Sequence, residues 1–293
     1  MRKLALVIVA ALVSAGFAQT IGLSLSTLNN PFFVEVRDGA QQAADELGFE
    51  LIVTDAQDSV SNQISNIEDL LQRGVDVLIV NATDSDAVVP AVMEANSRGV
   101  PVIAVDRGIN GGTLAYFIAS DNLAGGRMAG EFICERLGGQ GAVVELEGIP
   151  GASAARERGQ GFNEAMAACE GVQVVARQTA NFNRAEGLSV MENILVAQPE
   201  IDAVFAHNDE MALGALQAIQ ASGRDILVVG FDATDDAVAA VEACTMAATV
   251  AQQPALLGAE AVRAAGTIVN EGAPAEVQNV AVELQLVTSE ACQ

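Results

Sequence analysis

The side chains best suited to recognition in this chain sit just after apolar runs. Asp106 and Arg107 follow VIAV, and Phe231 and Asp232 end LVVGFD. The run IGLSLS, ending at Ser26, leads into Asn29, Asn30, Pro31, Phe32 and Phe33. Arg156 and Arg158, then Phe182, then Asn208, then Gln252 and Gln253, follow later apolar runs in the same way. Amides, carboxylates and guanidinium groups supply the paired donors and acceptors that vicinal hydroxyls require. Phenyl rings pack on the apolar C–H face of a sugar-like ring. Together these groups suit a small polyhydroxylated ligand. Each also has a plainer role: Asn29 and Asn30 before Pro31 can form a turn and a helix cap, and Asp106 and Asp232 can simply end strands. Their coincidence after successive apolar runs is the stronger signal.

Bond-breaking chemistry has little support. His207 is the single histidine, which excludes most histidine-based triads and metal sites. There is no G-x-S-x-G elbow and no phosphate-binding loop, and GGQG at Gly138–Gly141 precedes a strand, where a dinucleotide site needs the reverse order. The acidic run Asp232–Asp236 lacks calcium-loop spacing. It reads as a helix start capped by Thr234, with Asp235 and Asp236 in the first turn. No catalysis, cofactor or metal is expected.

The elements that must position these groups come in a repeat. Asp76–Arg107 and Asp202–Ala233 each read as apolar strand, polar turn, helix and second apolar strand ending in Asp, offset by 126 positions. Near-continuous apolar strands joined by helices predict parallel sheets covered on both faces. A unit made twice predicts two similar lobes with a cleft between them, and ligands of such sheets bind beyond the carboxyl ends of the strands. We read IPGASAARERG as a loop, Leu188–Ala197 and Leu256–Val269 as helices, and Ala247–Gln252 and Val280–Val287 as late strands. The late elements imply that the chain crosses between lobes more than once.

A length of 293 residues with 51% hydrophobic content suits two ordinary domains. Arg2 and Lys3, the apolar run Leu4–Ala18 and the small residues before Gln19 have the layout of a secretory signal peptide. With no Cys beside it, a lipid anchor is not expected. The net charge of −24 disfavours nucleic acid. Four cysteines in an exported chain predict two disulfides. Cys134 and Cys169 end helices beside one strand, which favours Cys134–Cys169 and Cys244–Cys292.

The stretches STLNNPFF, NATDSDAV, IASDN, GASAARERGQGF, FAHNDEMALGAL and VVGFDAT, in this order, resemble the periplasmic sugar-binding proteins of the ribose-binding type, over essentially the whole mature chain. The resemblance implies a periplasmic binding protein type I fold, with two Rossmann-like α/β lobes, parallel sheets and a three-crossing hinge that closes on the ligand. On this reading residues 1–18 are the leader, 19–120 with 253–280 form one lobe, and 121–252 with 281–293 form the other. It implies a binding set of Asn30, Phe32, Phe33, Asp106, Arg107, Arg158, Phe182, Asn208, Asp232 and Gln252. Phe32 and Phe182 would sandwich the ring, and Ser26, Phe231 and His207 would stand behind this set. Asn29, Arg156 and Gln253 fall outside it. The implied function is capture of a monosaccharide, D-ribose first, with allose or a furanosyl signalling molecule as alternatives. The implied partners are the permease of an ABC importer and a chemotaxis receptor, with the protein itself a monomer in the periplasm. A sugar-sensing regulator core would need an N-terminal DNA-binding segment in place of the leader.

Overall fold

The computed structural model describes residues 19–292. The expected leader lies outside them. Two six-stranded sheets organise the chain, one per lobe. The first sheet contains β1 (Thr20–Leu25), β2 (Glu50–Asp55), β3 (Val77–Val80), β4 (Val102–Val105), β5 (Tyr116–Ser120) and β11 (Gln278–Val282). Its order is β11-β5-β4-β3-β1-β2. The second contains β6 (Gln140–Glu147), β7 (Gly171–Thr179), β8 (Ala203–Ala206), β9 (Leu227–Asp232), β10 (Ala248–Ala251) and β12 (Gln285–Thr288). Its order, β12-β10-β9-β8-β6-β7, repeats the first. All pairs are parallel except β10 with β12.

The central strands β3, β4 and β8 are buried at every residue. That is why their sequences show no polar alternation. Helices cover both faces: α1 (Pro31–Leu47), α2 (Val60–Gln72), α3 (Val89–Ser97) and α9 (Pro254–Glu271) in the first lobe, and α4 (Asn122–Arg136), α5 (Ser153–Ala168), α6 (Arg184–Ala197), α7 (Asp209–Ser222) and α8 (Asp235–Glu242) in the second. Among the described residues no helix is long and apolar enough to cross a membrane.

The 126-residue repeat corresponds to β3-α3-β4 and β8-α7-β9. Its first aspartates play the same part in each lobe. Asp76 accepts the Thr20 amide at 2.8 Å, and Asp202 accepts the Ala142 amide at 2.7 Å, each tying its strand to the next. The chain crosses between lobes at Asp121, at Gln252–Gln253 and at Glu283–Leu284.

The structure corrects several readings. Val280–Val287 is not one strand: Ala281 and Val282 still pair with Ala119 and Ser120 in the first sheet, past the expected boundary at 280, and β12 starts in the second sheet at Gln285. IPGASAARERG is not a loop throughout, because α5 begins at Ser153. Its glycines serve close packing of α5 on α4: a Cβ at Gly161 would overlap the Leu123 carbonyl. Thr234 holds the N-cap position of α8 but makes no cap bond; its hydroxyl donates to Asp209 at 3.3 Å.

Both disulfides, Cys134–Cys169 and Cys244–Cys292, lie in the second lobe. The first joins the ends of α4 and α5. The second ties the C-terminal segment to the turn after α8.

Candidate ligand-binding site

The carboxyl ends of the two sheets face each other across a shared cavity. The order reverses between β1 and β3 and again between β6 and β8, and such switch points open a crevice. The cavity between the lobes is lined from the first lobe by Asn30, Phe32, Phe33, Asp106 and Arg107, and from the second by Ala154, Arg158, Phe182, Asn208 and Asp232. About 230 Å³ of space between atoms lies here, open solvent included. Two bonds bridge the lobes at the rim. The Ser85 amide donates to the Gly151 carbonyl at 2.9 Å, and the Gly108 amide donates to Ser153 Oγ at 2.8 Å.

Local structure fixes each group. Asn30 caps α1, its Oδ1 accepting the Phe32 amide at 3.0 Å, with Pro31 at the first helical position. That cap points Phe32 and Phe33 into the cleft, edge to face at 5.1 Å. Asn208 caps α7 in the same way, accepting the Met211 amide at 3.0 Å. Asp106, Phe182 and Asp232 have φ of 63°, 58° and 120°. Non-glycine residues rarely adopt these values, at a cost of about 1–3 kcal/mol each, and they cluster at functional sites.

Two buried Asp–Arg pairs face one another. Asp106 Oδ2 lies 3.7 Å from Arg107 Nε and accepts Asn81 Nδ2 at 3.0 Å. Arg107 lies between the Phe33 and Phe182 rings, 5.1 and 5.2 Å from their centroids. Arg158 donates to Asn122 Oδ1 at 2.8 Å and to the His207 carbonyl at 2.6 Å, and sits 3.5 Å from Asp232. Asp232 also accepts Gln252 Nε2 at 2.8 Å. The two pairs cancel in charge, which suits a neutral ligand.

Burial raises the Asp106 carboxyl, against the pull of Arg107, Arg158 and the Asn81 bond. Burial lowers the Arg107 guanidinium, against Asp106 and Asp58. Asp232 is pushed well above the usual carboxylate range, first by burial and further by Asp209. Asp209 itself is pushed up to about 7 by burial, against bonds from Thr249 and Thr234. Among the described residues, Asp106 Oδ1 and Arg107 Nε in the cavity wall have no hydrogen-bond partner. Gln252 Oε1 has none either, but Gln252, bonded to Asp232, is not among the residues that line the cavity. The acceptor and the donor in the wall share the cavity with phenyl rings, and hydroxyl groups satisfy both kinds.

Of the remaining sequence candidates, Ser26 lies beneath the cavity, its hydroxyl donating to Asn81 Oδ1 at 2.7 Å. Phe231 is buried 3.7 Å under the Arg158 guanidinium carbon. Arg156 turns outward to the Pro150 and Gly151 carbonyls, two residues round the helix from Arg158. Gln253 bonds the Glu283 carbonyl, joining two crossings. Asn29 lines an adjoining space of about 370 Å³ with Asp58, Asn183 and Glu210. Sequence reasoning missed Asn81, Ala154 and Asp209. Asn81 was findable, since it stands 126 positions before His207 and follows a strand. Ala154 carries no signal of its own.

Comparison with known proteins agrees with this geometry. The model for the periplasmic binding protein domain matches residues 21–273. The chain is 53% identical over 251 residues to the ribose import binding protein of Bacillus subtilis (strain 168), covering 86% of this chain and 82% of that one. It is 48% identical to the ribose import binding protein of Escherichia coli (strain K12), covering 92% and 93%. Among solved structures, Caulobacter myo-inositol binding protein bound to myo-inositol superposes with a TM-score of 0.88 at 36% identity, over 96% of this chain and 97% of that one. An ABC transporter periplasmic solute binding protein from Actinobacillus succinogenes 130z with bound D-allose gives 0.86 at 31%, over 94% and 99%. Two like lobes, a closed polar and aromatic cleft and these matches lead to one conclusion: the chain belongs to the periplasmic binding protein family.

Proposed function

We propose that this protein captures a monosaccharide, D-ribose first, between its two lobes in the periplasm and delivers it to the permease of an ABC importer. The observation that carries this reading is the pair of buried atoms on Asp106 and Arg107 with no partner among the described residues, in a cavity lined by phenyl rings from both lobes. The ribose import binding proteins among the relatives support ribose over other sugars. The expected binding set of ten residues is part of the proposal, with Phe32 and Phe182 on the two faces of the ring. So are the division into lobes near residues 120 and 253, the N-terminal leader, a monomeric state and use by a chemotaxis receptor. The two disulfides fit an oxidising compartment.

The adjoining space beside Asn29 and Asp58 favours a second reading, in which a larger sugar such as allose or a furanose with a longer side arm extends into it. Calorimetric titration of the purified mature protein with ribose, allose, xylose, glucose and galactose separates the two. Ribose binding near micromolar, tighter than the others, is the expected result. Binding of another sugar without ribose overturns the ribose assignment, and turnover of any sugar overturns a pure binding role.

A further inference from the structure

His207 is the one imidazole of the chain, and it does not line the cavity. It follows β8, is 1% exposed and is bonded on both ring nitrogens. The Gly148 amide donates to Nδ1 at 3.3 Å. The neutral ring therefore carries its proton on Nε2, which lies 3.0 Å from Glu145 Oε1. Glu145 is fully buried and accepts Arg177 Nε at 2.6 Å. Burial pushes the Glu145 carboxyl up, but the bonds from His207 and Arg177 outweigh it and leave the group below its ordinary value.

Three parts of the cavity wall converge on this ring. The His207 carbonyl accepts Arg158 Nη1 at 2.6 Å. Gly148 lies flat against Phe182, where a Cβ would overlap the phenyl ring. Asn208 is the next residue, and its amide donates to the Phe182 carbonyl at 3.3 Å. One support thus serves Arg158, Phe182 and Asn208.

We propose that His207 is a positioning residue for ligand binding: through the Glu145–His207–Gly148 hydrogen-bond chain it holds the Arg158, Phe182 and Asn208 wall in place. The proposal rests on the sugar-binding reading above. The groups around the ring are Glu145 on β6, the Gly148 amide beyond it and Arg158 on α5. Arg177 on β7 and Asn163 on α5 stand behind Glu145. Asp209 on α7 is turned away, toward Thr234 and Thr249.

The test is ribose affinity and dissociation rate for the wild type and two variants. His207→Leu is expected to weaken binding by about tenfold or more with faster dissociation, the cost of unpairing buried polar groups, while ligand-free unfolding stays cooperative. His207→Gln keeps one acceptor and one donor and is expected to recover most of that loss. Wild-type affinity in His207→Leu overturns the proposal, as does a His207→Gln variant that binds no tighter than His207→Leu. If His207→Leu does not fold, His207→Gln decides alone: affinity within a few fold of the wild type is expected, and a loss of about tenfold or more overturns the proposal. If the wild type binds no sugar, the sugar reading fails and this proposal falls with it.

Discussion

The two lobes present the same pair, a strand-end aspartate and an arginine, but leave them in opposite states of satisfaction. In the first lobe, among the described residues, Arg107 makes one hydrogen bond, to the Ala82 carbonyl at 3.2 Å, and its Nε has none. Asp106 rests on the neutral amide of Asn81, and its Oδ1 is unpartnered. In the second lobe Arg158 is held by Asn122, by the His207 carbonyl and by Asp232, and Asp232 by Gln252 on a crossing segment. The first lobe thus keeps bonding capacity for a ligand. The second is a preset wall, tied to the hinge and underlain by the buried carboxylates Asp209 and Glu145. A cleft built this way needs one adaptable side and one rigid side to bind an asymmetric ligand in one orientation.

Substitutions that unbalance the pairs break this comparison with the largest effect. Asp106→Ala leaves Arg107 buried without its adjacent carboxylate and should weaken ribose binding by about 3–5 kcal/mol. Asp232→Ala leaves Arg158 with two other acceptors and should cost about 2 kcal/mol. Titration calorimetry gives both values, and a larger loss in the second lobe would reverse the assignment of roles.

Next come the disulfides. Their sequence separations are 35 and 48 residues, and the chain-entropy relation gives about 4 kcal/mol of stability for each. Cys134→Ser with Cys169→Ser should lower the melting temperature of the second lobe and leave ribose affinity nearly unchanged.

Stability against pH follows from the raised carboxylates. Asp209 is held near 7 in the folded chain against about 3.9 in an unfolded one, so the folded state binds the extra proton. Stability from this group is full below about pH 4 and falls as pH rises to about 7, by up to about 4 kcal/mol. Asp232 and Asp106 act in the same direction. Thermal unfolding between these limits should show the decline, and Asp209→Asn should flatten it.

The smallest effect tests closure itself. Ser153→Ala removes the bond from Gly108 across the rim without touching the cavity. About 1 kcal/mol, or roughly fivefold weaker ribose binding, is expected. Unchanged affinity would show that the rim bond does not contribute to closure.

What could be read from sequence depended on whether a residue's role was local. Asp106 and Asp232 were legible because each ends an apolar strand in a repeated unit, and Asn30 because it precedes Pro31 at a helix start. The lobe crossing at Glu283–Leu284 was not, since apolar residues continue across it with no Gly or Pro to mark the change of sheet. Residues 153–159 looked like a loop because their small residues and arginines lack apolar periodicity. Their helix is explained only by packing on α4. Glu145 and Asn81 were hidden for the same reason, because a buried polar group is recognised by partners that other strands supply. Asn29 and Arg156 were strand-end residues like the rest, and only geometry separates them from the cavity.

A crystal structure of the protein grown with D-ribose tests the central claim most directly. The account predicts one sugar in the cleft, with Asp106 Oδ1 and Arg107 Nε from the first lobe and Asp232 from the second bonded to its hydroxyls, and Phe32 and Phe182 on its two faces. A sugar bonded by one lobe alone, or bound outside the cleft, would contradict it.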